Sequence, residues 1–111
     1  MQPTVAGEGF VYGCSIDELA NEQPFLTEID DRFVVLVRID DDVYCIDDVC
    51  THDGGTLSDG HFEDACMVCP RHGAKFDVRT GAARCMPATE PTGSHEVQIV
   101  GGQVWVKLSA E

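Results

Sequence analysis

The chain predicts an all-β domain, and three observations carry that prediction. Its apolar residues fall in short runs rich in β-branched and aromatic side chains. Glycine, aspartate and proline punctuate those runs, as turns require. No internal repeat or low-complexity linker interrupts the 111 residues, a length that suits one domain. A domain of this size buries roughly 60–70% of its unfolded surface and needs no disulfide staples.

The elements follow in order. Residues 10–14 read as the first strand. Ser15-Ile16-Asp17-Glu18 has the S-x-x-E form of a capping box and predicts a short helical turn before Pro24. Residues 25–29 carry a fainter strand pattern. Residues 32–39 and 43–47 flank Asp40, Asp41 and Asp42 and predict a hairpin whose second strand runs directly into Cys50. Residues 97–100 and 103–108 flank Gly101-Gly102, a dipeptide suited to a tight hairpin turn with φ > 0. Trp105 alternates there with Val104 and Val106, which predicts core or half-buried packing. Between the hairpins, residues 50–88 form an insertion in which 66–69 and 75–78 read as strands with a loop at their junction.

That insertion holds the chemistry. Cys50 and His52, then Cys69 and His72, read C-x-H-x16-C-x2-H. Each half supplies one thiolate and one imidazole from a glycine-containing loop, with Gly54, Gly55 and Gly60 after the first pair and Gly73 after His72. Glycine permits close approach of backbone to an inorganic core. Two cysteines on one iron and two histidines on the other is the ligation of a Rieske-type [2Fe-2S] centre. The same four residues would satisfy tetrahedral zinc, but zinc fingers usually present a cysteine pair and a histidine pair separately, whereas each loop here mixes one of each.

The stretch CTHDGGTLSDGHFEDACMVCPRHGAKFDVRTGAARCMPATEP resembles the Rieske family. Cys50 and His52 fall in the first family box, Gly54, Leu57 and Gly60 follow, and CPRHG with Phe76, Asp77 and Gly81 forms the second. Pro87 sits where the family has a proline-bearing segment over the cluster. The resemblance implies the Rieske iron-sulfur fold: an antiparallel β-sandwich-like base with a two-loop cluster-binding subdomain at about 48–90, within one domain spanning 1–111. It implies one [2Fe-2S] cluster on Cys50, His52, Cys69 and His72, with His52 and His72 as the electron port at one tip.

Departures from the high-potential members of that family carry information too. Their inter-loop disulfide positions hold Gly55 and Arg71 here, their serine position Ala74, and their tyrosine position Phe76. Each missing donor leaves the reduced cluster less stabilised, which predicts a potential near the low end of the roughly −150 to +300 mV range.

Composition bounds the partners. A net charge of −13 repels nucleic acid and anionic membranes and favours encounter with basic patches on proteins. Many of the carboxylates, including Glu28, Asp30, Asp31, Asp40, Asp47, Asp48, Glu63 and Asp64, flank apolar runs and read either as solvated loops or as a docking surface. The N-terminal stretch lacks a basic, apolar leader pattern, and no segment approaches the ~20 apolar residues of a membrane span. The expectation is a soluble, cytoplasmic protein. Cys14, Cys45, Cys66 and Cys85 then read as reduced, with Cys45 and Cys66 acting as small buried hydrophobes. His61 and His95 read as surface residues, and Arg71 either as a pair for a carboxylate on a partner protein or as a stabiliser of the loop backbone or Asp53.

The function these features imply is a soluble one-electron carrier with no catalytic residues and no turnover alone. It would pass electrons from a flavin-dependent reductase to a terminal non-haem iron oxygenase. The alternatives are a Rieske-like small subunit of another oxidoreductase, such as an assimilatory nitrite reductase, and a structural zinc module.

Overall fold

Strand formation accounts for nearly every regular element in the computed structural model, which describes residues 9–49, 56–70, 73–85 and 92–108. In chain order the strands are β1 (Val11–Ser15), β2 (Pro24–Ile29), β3 (Arg32–Ile39), β4 (Asp42–Asp47), β5 (His61–Glu63), β6 (Cys66–Val68), β7 (Lys75–Asp77), β8 (Ala83–Cys85), β9 (Ser94–Val100) and β10 (Gln103–Lys107). One 3-10 turn, Ile16–Glu18, follows β1. Its predicted capping box is present: the Ser15 backbone N–H donates to Glu18 Oε2 at 3.0 Å, and the Asp17 N–H donates to Ser15 Oγ at 3.4 Å.

Two antiparallel sheets result. The larger runs β1-β10-β9-β4-β3-β2, and its end strands β1 and β2 touch, so the sheet rolls on itself. The smaller runs β5-β6-β7-β8. The run Val34-Val35-Leu36-Val37 explains how they join. Val34 and Leu36 point into the roll with Ile29, Cys45, Val104 and Val106. Val35 and Val37 point the other way and meet Leu57, Met67, Phe76 and Val78 of the insertion. All four residues of the run are fully buried. A strand covered on both faces reads as a continuous apolar run rather than an alternating one. The sandwich-like base is thus the roll facing the small sheet across a second core.

Turn chemistry fixes the hairpins. Gly101 and Gly102 both take positive φ between β9 and β10, as the dipeptide predicts. The predicted strands at 10–14, 25–29, 32–39, 43–47 and 75–78 appear with ends shifted by a residue or so. The reading missed β5 and β8, each three residues long. Trp105 is half-buried and stands edge-on to Tyr12, ring centroids 5.5 Å apart.

One buried carboxylate locks the small sheet. Asp77, 1% exposed, accepts from the Arg79 backbone N–H at 2.8 Å, from Arg79 Nε at 3.1 Å and from Arg84 Nη2 at 2.9 Å. These donors hold its carboxyl down at about 2, the Arg79 hydrogen bond being the largest influence and burial opposing it. The pairing therefore stabilises the fold fully above the unfolded carboxyl pKa, near 3.9, and is lost as pH falls through about 2. Asp77→Asn is expected to cost about 2 kcal/mol: it removes the buried charge that the two guanidinium groups hold ionised, but those groups are half exposed and water takes up their charge. In far-ultraviolet circular dichroism melts, the gap between wild type and variant should be full at pH 5 and should close toward pH 2.

Candidate metal centre

The second ligand loop is built on the β6–β7 junction. Cys66, Met67 and Val68 are all buried, and Cys69 continues them with 1% of its surface exposed and its thiol free. The Cys69 N–H donates to the Ala74 carbonyl at 2.7 Å, and the Gly73 N–H donates to the Cys69 carbonyl at 3.1 Å. These two bonds tie Cys69, at the end of one described segment, to Gly73 and Ala74 at the entry to β7. Ala74 and Phe76 are fully buried and contribute a methyl group and a phenyl ring, with no hydroxyl.

The first ligand loop leaves the end of β4 through a braced neck. Asp48 is buried, and its two carboxylate oxygens accept from Ser58 on the returning side: the Ser58 N–H reaches Oδ1 at 2.6 Å and the Ser58 hydroxyl reaches Oδ2 at 2.9 Å. The Val49 carbonyl accepts from the Thr92 hydroxyl at 3.0 Å, while the Thr92 N–H donates to the Gly81 carbonyl at 2.8 Å. The neck of the first loop is therefore tied to the segment that follows β8. Gly60 then brings the first loop onto the second. Its N–H donates to the Leu57 carbonyl at 2.9 Å, and its α-carbon lies so close to β6 that a Cβ would overlap the Val68 carbonyl oxygen. Only glycine permits that approach.

A third brace lies beneath the neck. Asp47 accepts from Arg32 Nη2 at 3.0 and 3.1 Å and faces His95 Nε2 at 2.7 Å, with the His95 side chain fully buried. The Asp47 N–H also donates to the Gly93 carbonyl at 2.8 Å. This corrects the sequence reading at three residues. His95 is interior, because a carboxylate partner makes an imidazole tolerable there, and Asp47 and Asp48 are structural acceptors rather than solvated loop charges. Nothing in the local sequence marks them, since their partners lie ten to forty-eight residues away. His61 is exposed, as expected.

Cys14, Cys45 and Cys66 converge with no two other potential ligands among the described residues. Burial, with Glu18 adding, pushes the Cys14 thiol up to about 11. Burial, with Asp47 adding, raises Cys45 well beyond the ordinary thiol range, and burial followed by Asp77 raises Cys66. All three stay protonated at neutral pH and fill core space, as the sequence suggests for Cys45 and Cys66.

Of the four residues singled out by spacing, Cys69 is the one that falls within the described residues. Cys50, His52 and His72 lie outside them, as do Gly54, Gly55, Arg71 and Pro87. Among the described residues no three potential ligands converge. The surroundings still fit an iron–sulfur core: a free, buried thiol ends β6, the two loops are seated together by Gly60, and both loop bases are fixed by hydrogen bonds independent of any ligand.

Comparison with known proteins agrees with this geometry. The family model for the Rieske [2Fe-2S] domain matches residues 9–101. This chain belongs to the Rieske [2Fe-2S] domain family. Its cofactor is accordingly one [2Fe-2S] cluster. The anthranilate 1,2-dioxygenase ferredoxin subunit of Burkholderia cepacia is 37% identical over 94 residues, which are 85% of this chain and 87% of that protein. The ferredoxin of carbazole 1,9a-dioxygenase from Nocardioides aromaticivorans IC177 superposes with a TM-score of 0.88 at 31% identity, covering 92% of this chain and all of that one. A chain from a complex of reduced oxygenase and oxidized ferredoxin in carbazole 1,9a-dioxygenase gives a TM-score of 0.83 at 27% identity, with 95% of this chain and 100% of that chain covered. No helix among the described residues of this Rieske protein is long and apolar enough to cross a membrane.

The Gly60 contact generates a prediction. Gly60→Ala must push the first loop off the Val68 carbonyl, an overpacking worth about 1–3 kcal/mol. The purified variant should hold less iron and acid-labile sulfide per chain than wild type and should bleach at lower temperature. Wild-type iron content and bleaching would show that the close approach is not needed.

Proposed function

We propose that this protein is the ferredoxin component of an aromatic-ring oxygenase system, an electron carrier rather than a catalyst. In this reading Cys50 and Cys69 hold one iron and His52 and His72 the other, with residues of about 48–90 forming the cluster-binding part of a single domain over 1–111. When bound, the cluster supplies one-electron chemistry. The chain's own residues would keep water and movement away from it: Cys69 is buried, Asp48 and Ser58 pin the base of the first loop, and Ala74 and Phe76, which follow the second, are fully buried in the apolar core.

The observation that carries the reading is the buried, free Cys69 thiol at the point where Gly60 seats one ligand loop on the other. The relatives named above, ferredoxins of anthranilate and carbazole dioxygenases, support a carrier over a small subunit of another oxidoreductase. The partners would be a flavin-dependent reductase and a terminal non-haem iron oxygenase. The location would be cytoplasmic. A low potential is supported by the buried methyl of Ala74 and the buried ring of Phe76, neither of which donates a hydrogen bond that would stabilise the reduced state.

The testing experiment is the EPR spectrum of anaerobically purified, dithionite-reduced protein. A rhombic signal with average g below that of all-cysteine clusters is expected, and a silent, zinc-containing sample would overturn the reading. For the potential, Ala74→Ser combined with Phe76→Tyr should raise the midpoint in protein-film voltammetry, with about 59 mV corresponding to a tenfold shift for one electron. An unmoved midpoint would remove hydrogen-bond donors as the cause.

A further inference from the structure

Three of the exposed large hydrophobic side chains, Leu26 at 48%, Phe33 at 58% and Val49 at 42%, line a single concavity of about 630 Å³. The strand register explains why. Leu26 pairs with Val35 and Phe33 with Glu28, so Leu26 and Phe33 sit on the face of β2 and β3 that the small sheet covers farther along. The small sheet stops short of this margin, and the wall opposite is the neck of the first ligand loop, with Asp48, Val49 and Asp59. The concavity therefore abuts Val49, the residue before Cys50.

We propose that this groove is a docking site for the electron-accepting partner protein, and that it takes an apolar side chain flanked by lysine or arginine. The proposal rests on the carrier reading above and names the surface that reading leaves open. The apolar floor selects an apolar group, since such exposed patches beside a redox loop mark interaction sites. The rim selects the charge: Asp59 in the lining and Asp30 and Asp31 in the adjoining β2–β3 turn are exposed carboxylates, whereas Asp48 is taken up by Ser58 and Asp47 by Arg32 and His95. Around them lies a chain of net charge −13.

Charge also decides against a second copy as the occupant. Of the seven lysine and arginine residues, five are engaged within the chain. Arg32 pairs with Asp47, Lys75 with Glu63, and Arg79 and Arg84 with Asp77, while Arg38 donates to the Asp40 carbonyl. This chain has few cations to offer an acidic groove on its twin.

The test uses the holoprotein with the Leu26→Ser/Phe33→Ser double variant, both positions being exposed, and with Ile99→Ser as an exposed control on β9. The acceptors are the oxygenase components of anthranilate 1,2-dioxygenase and carbazole 1,9a-dioxygenase. Stopped-flow oxidation of the pre-reduced protein should give the double variant a second-order rate constant about tenfold lower, the loss typical of a truncated interface anchor. The limiting rate at saturating acceptor, the midpoint potential and the EPR signal should stay at wild-type values, and Ile99→Ser should match wild type. Asp59→Lys and added salt should each slow the reaction.

Equal second-order rates for wild type and double variant would overturn the groove and leave the carrier reading standing. A silent, zinc-containing sample in the EPR experiment would overturn the carrier reading and the groove with it. A wild-type dimer in sedimentation that the double variant makes monomeric would assign the groove to self-association and also overturn the proposal.

Discussion

Burial of β3 on both faces is the constraint on which the remaining structure depends. Val34 and Leu36 close the roll, while Val35 and Val37 hold the small sheet and, through it, the turn that carries Cys69. In a half-exposed strand a slip of one residue would expose its apolar set, and that penalty fixes register. Here both faces are apolar, so hydrophobicity alone cannot choose. The choice falls to the ends: Asp30 and Asp31 take positive φ in the β2–β3 turn, and Arg32 at the start of β3 pairs with Asp47 at the end of β4. Those polar features determine where β4 ends, and hence where the first ligand loop begins.

The loops are then positioned by carboxylates. Asp47, Asp48 and Asp77 each accept several hydrogen bonds: Asp47 from side chains of the neighbouring strands β3 and β9, Asp77 from β8 and the turn before it, and Asp48 from Ser58 on the returning side of the first loop. A carboxylate suits this because two oxygens offer about four acceptor sites, and bonds to a charged group are shorter and stronger than neutral ones. Asp48 closes the neck of one loop, Asp47 ties that neck to β3 and β9, and Asp77 closes β7 onto β8. The irregular part of the molecule is thus held from its base, where hydrogen bonds are sheltered.

The sequence made the regular part legible because local pattern determined it. The capping box, the Gly101-Gly102 turn and the apolar run of β3 each act within a few residues. The C-x-H and C-x2-H pairs were legible for the same reason, their chemistry being written in short spacing. Strand β5 was not, since three residues carry no measurable alternation and its turn, Asp64-Ala65, reaches positive φ without the expected glycine. Strand β8 is equally short; it pairs with β7, and Asp77 accepts from its Arg84, a relation that no alternation along the chain marks. The interior place of His95 depends on an aspartate forty-eight residues earlier, a relation that spacing along the chain does not encode.

The acidic surface divides into two populations with different consequences. Asp40, Asp41 and Asp42 stand at the far end of β3 from Phe33, about seven strand residues away, or roughly 23 Å. At physiological salt, fields from exposed charges fade over about 8 Å. Those aspartates keep copies of the chain apart but exert little pull on a partner seated beside the first loop. Asp30 and Asp31, exposed in the β2–β3 turn, and Asp59 lie within the reach of such a partner. Near charges can set the sign of the partner and speed its approach, yet they fix no orientation. Orientation of one redox loop against another requires directional or shape-dependent contact, and at this end of the described structure the exposed Leu26, Phe33 and Val49 side chains are the groups that provide shape.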